Sequence, residues 1–114
     1  MIGITIYRTD SGMIHSFTMS GHAQFAKHGK DIVCAGASAV SFGTVNAIEV
    51  LIGVKAEVVQ GNGGFLECVF PENLSDAARE KVQLLLEAMI VSLQGIEAEY
   101  GKHIKITFKK WEVE

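Results

Sequence analysis

Apolar and polar residues alternate from the first positions of the chain. Ile2, Ile4 and Ile6 stand against Gly3, Thr5 and Tyr7, the period-two pattern of a strand with one buried face. Thr9-Asp10-Ser11-Gly12 comes next. Asp bonds its own backbone and Gly tolerates positive φ, so a turn is predicted. A second strand over 13–20 sets Met13, His15, Phe17 and Met19 against Ile14, Ser16 and Thr18, completing a hairpin. From about Cys34 to Ile52 the sequence is Ala-rich and apolar almost all round, with Ser38, Ser41, Thr44, Asn46 and Glu49 as its polar members. That pattern predicts a helix buried on most of its surface, either central in the domain or shared with a second subunit. Gly53 suits its end.

The remaining elements follow the same logic. Strands over 55–60 and 65–70 flank Gly61-Asn62-Gly63-Gly64, a strong hairpin signal. In the second, Leu66, Cys68 and Phe70 point one way and Phe65, Glu67 and Val69 the other, with Pro71 closing it. Ser75 is a good N-cap and Asp76 suits the positive end of a helix. Ala78, Val82, Leu85, Met89, Leu93, Ile96 and Tyr100 then recur at three- and four-residue spacing as far as Gly101, marking an amphipathic helix. Ile104, Ile106 and Phe108 alternate in a last strand, and the tail Trp111-Glu112-Val113-Glu114 carries no pattern. The order is ββαββαβ. It predicts one α+β domain over 1–114, with a mostly antiparallel sheet packed against two helices.

Composition narrows the function. A chain of 114 residues, 48% hydrophobic, fills a single domain with a real core. The net charge of −3 argues against direct nucleic-acid binding, which concentrates Lys and Arg on one face. Lys105, Lys109 and Lys110 read as a solvated strand face. No uninterrupted apolar run reaches the roughly 18 residues of a bilayer span, so no membrane partner is expected. The opening residues lack the basic and cleavage regions of a signal peptide, and a cytoplasmic protein is the expectation. Cys34 and Cys68 then stand as free thiols, since a reducing compartment disfavours a disulfide.

Between the first hairpin and the long apolar helix, residues 21–33 break all periodicity. Gly21 and Gly29 flank His22, Gln24, Lys27, His28 and Lys30, a polar loop long enough to suggest function. Asp31 looks like a helix cap just ahead of Cys34. A thiol acts as a nucleophile only as thiolate, and a helix N-terminus and a nearby imidazole both favour that form. His22 can supply the imidazole, with His28 as its competitor; free backbone N–H groups at Cys34 and its neighbours can serve an oxyanion. Nucleophile, base and charge stabilisation are the requirements of acyl transfer through a thioester. The bland alternative is that Cys34 packs in the core, as Cys68 is expected to do between Leu66 and Phe70. His15 reads as structural, and His103 lies just past a helix end, where its charge is mildly favourable. His22, His28 and Cys34 lack the paired spacing of zinc modules, so neither metal nor cofactor is expected.

Ser-Gly-His-Ala at 20–23, followed by Gly-Lys-Asp-Ile-Val-Cys-Ala-Gly-Ala-Ser at 29–38, resembles the motif of the ribosomal-processing cysteine protease family, Prp. The order of strands and helices is similar as well, across essentially the whole chain. The resemblance implies a small cytoplasmic homodimer that removes the N-terminal extension of large-subunit ribosomal protein twenty-seven, cutting after an aromatic residue. It also implies Cys34 as nucleophile and His22 as base, with Asp31 and Ser38 at further motif positions. Asp31 can orient His22, as the third member of a triad does, or cap the helix; orientation is slightly favoured. Ser38, one turn beyond Cys34 on the same face, can line the site or simply allow close packing. The loop from Gln24 to Lys30 would act as a lid with Gly21 and Gly29 as hinges beside the substrate. The competing classes are a non-catalytic ribosome-associated binding module and a purely structural dimerisation domain, the latter leaving the polar loop without a purpose.

Overall fold

The structure, a computed structural model, describes residues 1–112; Val113 and Glu114, the end of the patternless tail, lie outside the described residues. Strands β1 (Ile2–Arg8), β2 (Ile14–Ser20), β3 (Glu57–Gly61), β4 (Phe65–Val69) and β5 (Ile104–Lys110) and helices α1 (Ile32–Ile52) and α2 (Asp76–Tyr100) follow the predicted ββαββαβ order. The strands form one sheet in the order β3-β4-β2-β1-β5. Every pairing is antiparallel except β1 with β5, giving the α+β class read from the pattern.

One sheet face carries the core. Ile2, Ile4 and Ile6 of β1, Phe17 and Met19 of β2, Leu66 and Cys68 of β4, and Ile104 and Ile106 of β5 are buried in a single cluster with both helices. From α2 that cluster takes Val82, Leu86, Met89, Ile90 and Leu93, a wider stripe than the spacing alone marked. Ser75 caps α2 as expected, its hydroxyl accepting from the Ala78 N–H at 3.2 Å.

The second strand departs from strict alternation. Tyr7 pairs with Ser16 but Arg8 pairs with Ile14, leaving His15 as an extra residue in a bulge. Past the bulge Ile14 turns into the core, 2% exposed. His15 turns to the open face and stacks on Trp111 at 3.8 Å. The expected grouping of His15 with Phe17 and Met19 is therefore wrong at the bulge, where one extra residue inverts the phase. Gln83 of α2 closes the interrupted ladder: it accepts from the Ile14 N–H at 2.8 Å and donates to the Ile14 carbonyl at 2.9 Å. Trp111, set aside as patternless, covers the strand there.

Helix α1 begins at Ile32, two residues earlier than expected, with Asp31 as its N-cap and Gly53 closing it. It buries only Val33, Ala37, Ser41 and Ile48, a stripe rather than most of its surface. The sheet and α2 cover one side; Ile32, Phe42 and Val50 stay exposed on the other, and Leu51 is exposed near the helix end. By length and composition α1 would pass for a bilayer span. Here its buried stripe packs into the shared core of the domain.

Candidate active site

The loop between β2 and α1 is held at several points. Its first residue, Gly21, has φ +83, and a Cβ there would collide with the Met1 carbonyl oxygen. The Gly21 N–H donates to the Gly63 carbonyl at 2.8 Å. Gly64, at φ +70, lies so close that an added Cβ would meet the Gly21 carbonyl oxygen at 2.5 Å and His22 Cε1 at 3.4 Å. The tip of the β3-β4 hairpin is thus pressed, backbone on backbone, against the start of the loop and the imidazole. Only glycine fits both positions. As a hinge Gly21 is encumbered, whereas Gly29 has open space around it.

Asp31 secures the other end. One carboxylate oxygen accepts from the Val33 and Cys34 N–H groups, both at 3.0 Å, and the other from Phe25 at 2.9 Å and Ala26 at 3.2 Å. Burial opposes its charge, but the backbone donors at Cys34, Ala26, Phe25 and Val33 together outweigh it and hold the carboxyl below its ordinary value. Among the described residues Asp31 makes no bond to His22. The favoured orienting role therefore gives way to capping, because four amides already occupy both oxygens. This also corrects the expectation of free helix-start donors. The amides of Val33 and Cys34 are taken by the Asp31 side chain and that of Ala35 by its carbonyl.

Cys34 is half-buried at the head of α1, and its Sγ accepts from the Ala23 N–H at 3.3 Å. Ala23, 1% exposed, also has its carbonyl bonded by His103 Nδ1 at 2.9 Å. Gln24 follows at φ 56, a left-handed conformation unusual for a residue with a side chain. Phe25 sets its ring edge-on to Tyr100 and His103. Sequence reasoning missed His103, which approaches the loop from 80 residues away. No local pattern marks such a contact.

Cys34 and His22 both line one open cleft of about 680 Å³ between the loop, the first turns of α1 and the β3-β4 hairpin. Asp31, Gly21, Gly29, Ser38 and His28 line it too, so all the candidate residues come together. Ile2, Met19, Ala35, Phe42, Phe65 and Leu66 give it apolar walls. Cys68 is elsewhere, 1% exposed in the core as expected. Burial, and then the nearby Glu67 charge, push its thiol up to about 11. Among the described residues no cluster of His, Cys, Asp and Glu could hold a metal ion.

A thiol at the head of a helix and an imidazole line the same open cleft, an arrangement that thiol-dependent hydrolases use. The model of the family described as cysteine protease Prp matches residues 1–105. The chain is 50% identical over 108 residues to the ribosomal processing cysteine protease Prp of Bacillus subtilis (strain 168), covering 94% of this chain and 96% of that protein. It is 42% identical over 110 residues to the protein of the same name from Staphylococcus aureus (strain Mu50), covering 96% and 100%. The crystal structure of the S. aureus protease Prp with a covalently linked product peptide superposes with a TM-score of 0.86 at 41% identity, over 96% of this chain and 100% of that one. The S. aureus enzyme with a substrate peptide gives a TM-score of 0.80 at 39% identity, with the same coverage of 96% and 100%. The chain belongs to the cysteine protease Prp family. It is a cysteine protease of the ribosomal-processing type.

Proposed function

We propose that this protease removes the N-terminal extension of large-subunit ribosomal protein twenty-seven, cutting after an aromatic residue, with Cys34 as nucleophile and His22 as general base. The observation that carries the reading is the placing of Cys34 and His22 on one open cleft of about 680 Å³. His22 takes the thiol proton and the sulfur attacks the scissile carbonyl, forming the C–S bond. The tetrahedral intermediate collapses as the imidazolium gives its proton to the departing amine. Water, deprotonated by the same ring, then hydrolyses the thioester and releases the thiol. Asp31 holds the loop and the helix head in register throughout.

Phe42, Phe65, Leu66 and Met19 supply apolar surface for an aromatic side chain at the cut, while Gly21, Gly29 and Ser38 form the wall beside the substrate backbone. Among the described residues the Ser38 hydroxyl has no protein partner, which leaves it available to the peptide. The exposed apolar side of α1, with Val50 81% and Leu51 75% exposed, supports a homodimer. The negative net charge supports a protein precursor rather than nucleic acid as the partner, and the free thiols support a cytoplasmic setting.

The test is cleavage of a peptide spanning the extension and its junction, with the aromatic residue present or replaced by alanine. Cys34→Ala and His22→Ala are expected to lose turnover while keeping the fold. Turnover by Cys34→Ala, or indifference to the aromatic residue, would count against the mechanism or the specificity respectively.

A further inference from the structure

We infer that His103 is a positioning residue for the Cys34 sulfur, acting through Ala23; the inference rests on the reading of Cys34 as the nucleophile. Two bonds meet at Ala23. Its N–H reaches Cys34 Sγ at 3.3 Å, and its carbonyl accepts from His103 Nδ1 at 2.9 Å. The N–H and the carbonyl lie in the two peptide planes that meet at the Ala23 Cα, so with both bonds made the φ and ψ of this buried residue are held and the amide keeps its direction.

The backbone that carries the imidazole is itself anchored. The His103 N–H donates to the Tyr100 carbonyl at 2.8 Å, and its carbonyl accepts from the Ile2 N–H at 2.8 Å. It therefore stands as a post where α2 gives way to β5, beside the start of β1. The segment it holds needs holding. Gln24 sits at φ 56, a conformation an L residue keeps only when its surroundings impose it. His103 grips one side of Gln24, and Asp31 grips the other through the Phe25 and Ala26 amides. The Phe25 ring then rests on His103 at 5.3 Å between centroids.

The bond to sulfur matters because the amides around Cys34 at the helix head are already taken. The amides of Val33, Cys34 and Ala35 are all committed to Asp31. The Ala23 N–H is the backbone donor that reaches Sγ, and a donor aimed at the sulfur fixes where the thiol points in the cleft. His103 keeps that donor in place without touching the substrate.

Two substitutions separate hydrogen bonding from packing. Asparagine places an amide nitrogen near the Nδ1 position, whereas glutamine places it near Nε2. With the precursor peptide as substrate, His103→Gln and His103→Ala are expected to lower kcat about tenfold with KM nearly unchanged, and to slow iodoacetamide labelling of Cys34 in parallel. His103→Asn is expected to stay within about threefold of the native enzyme. Thermal melts establish that each variant is folded. In the folded variants the Ala23 amide proton resonance should move for Gln and Ala and hold for Asn.

Equal kcat and labelling in all three folded variants would overturn the inference, as would equal losses in Asn and Gln. One measurement needs no variant: nitrogen-15 spectra of the native protein should show a proton on His103 Nδ1, and its absence would overturn the inference even if every variant failed to fold. Turnover by Cys34→Ala would instead remove the nucleophile reading, leaving the Nδ1 and Ala23 resonances to report the bonds themselves.

Discussion

The chain's two thiols sit in opposite surroundings, and their reactivity should follow. Cys68 is sealed between Leu66 and Phe70 in the core, where burial and then Glu67 push its thiol up to about 11. Cys34 opens on the cleft with a backbone donor on its sulfur. Iodoacetamide at neutral pH is expected to label Cys34 and to leave Cys68 untouched until the protein unfolds, read by mass spectrometry of the digested chain; equal labelling in the folded state would contradict the burial argument. Asp31 makes a second prediction, in acid. Its folded pKa lies below the ordinary 3.8. Its contribution is therefore complete above the unfolded value and is lost as pH falls through the folded one. Denaturant titrations between pH 5 and pH 2 should show stability declining below about pH 4, with a shallower decline in Asp31→Asn, whose reference stability is lower. An unchanged slope in that variant would mean that the four amide bonds do not hold the carboxylate charged.

At the scale of elements, strands and helices were legible because burial on one face imposes a period, and each period survives in the residues. Ser75 was legible as a cap for a similar reason, since a helix start needs a local acceptor; Asp31 was legible only as one of two readings, with orientation of His22 slightly favoured. Contacts between elements were not legible. The bulge at His15 is stabilised by Gln83, 69 residues beyond the Ile14 it bonds, and nothing in Met13–Phe17 announces it. Replacing Gln83 with Met keeps its bulk but strips both partners from Ile14. It is expected to cost about 1–3 kcal/mol in denaturant unfolding, the penalty for a buried peptide unit left unpaired, and a loss below about 0.5 kcal/mol would show that water replaces the amide. The glycines of the second hairpin were read as turn formers, yet they do different things. Gly64 presses on Gly21 and His22, whereas a Cβ on Gly63 would meet nothing. Gly63→Ala should cost about 1–2 kcal/mol of backbone strain. Gly64→Ala should cost more and lower kcat/KM about tenfold or more, since misplacing a catalytic group by about 1 Å can lose a hundredfold. Similar kinetic losses in both would make strain the common cause and remove the hairpin from the positioning of His22.

For the molecule as a whole, the site gathers where three stretches distant in sequence converge: the loop and head of α1, the β3-β4 tip, and the turn holding His103. The first was legible because its chemistry is contiguous in the chain. The other two became visible only once the sheet set β4 beside β2 and β5 beside β1. The core lies on the helix side of the same sheet, and its far end carries the paired bonds of Arg8 with Glu87, both at 2.8 Å. Along β1, Arg8 is some 20 Å from the Met1 contact with Gly21, at about 3.3 Å per residue. Leu86, fully buried beside Glu87, thus supports the fold without touching the cleft. Leu86→Ala is expected to remove about 2–5 kcal/mol, a large share of the roughly 5–15 kcal/mol that holds a domain of this size. The midpoint of thermal unfolding should fall by about 10 °C or more. At temperatures where the variant remains folded, kcat/KM should match the native enzyme, because the loop anchors at Gly63, Asp31 and His103 are local. A drop in kcat/KM in that folded range would show instead that the cleft is held by the core as a whole, and that its local hydrogen bonds follow from the packing rather than fixing the site themselves.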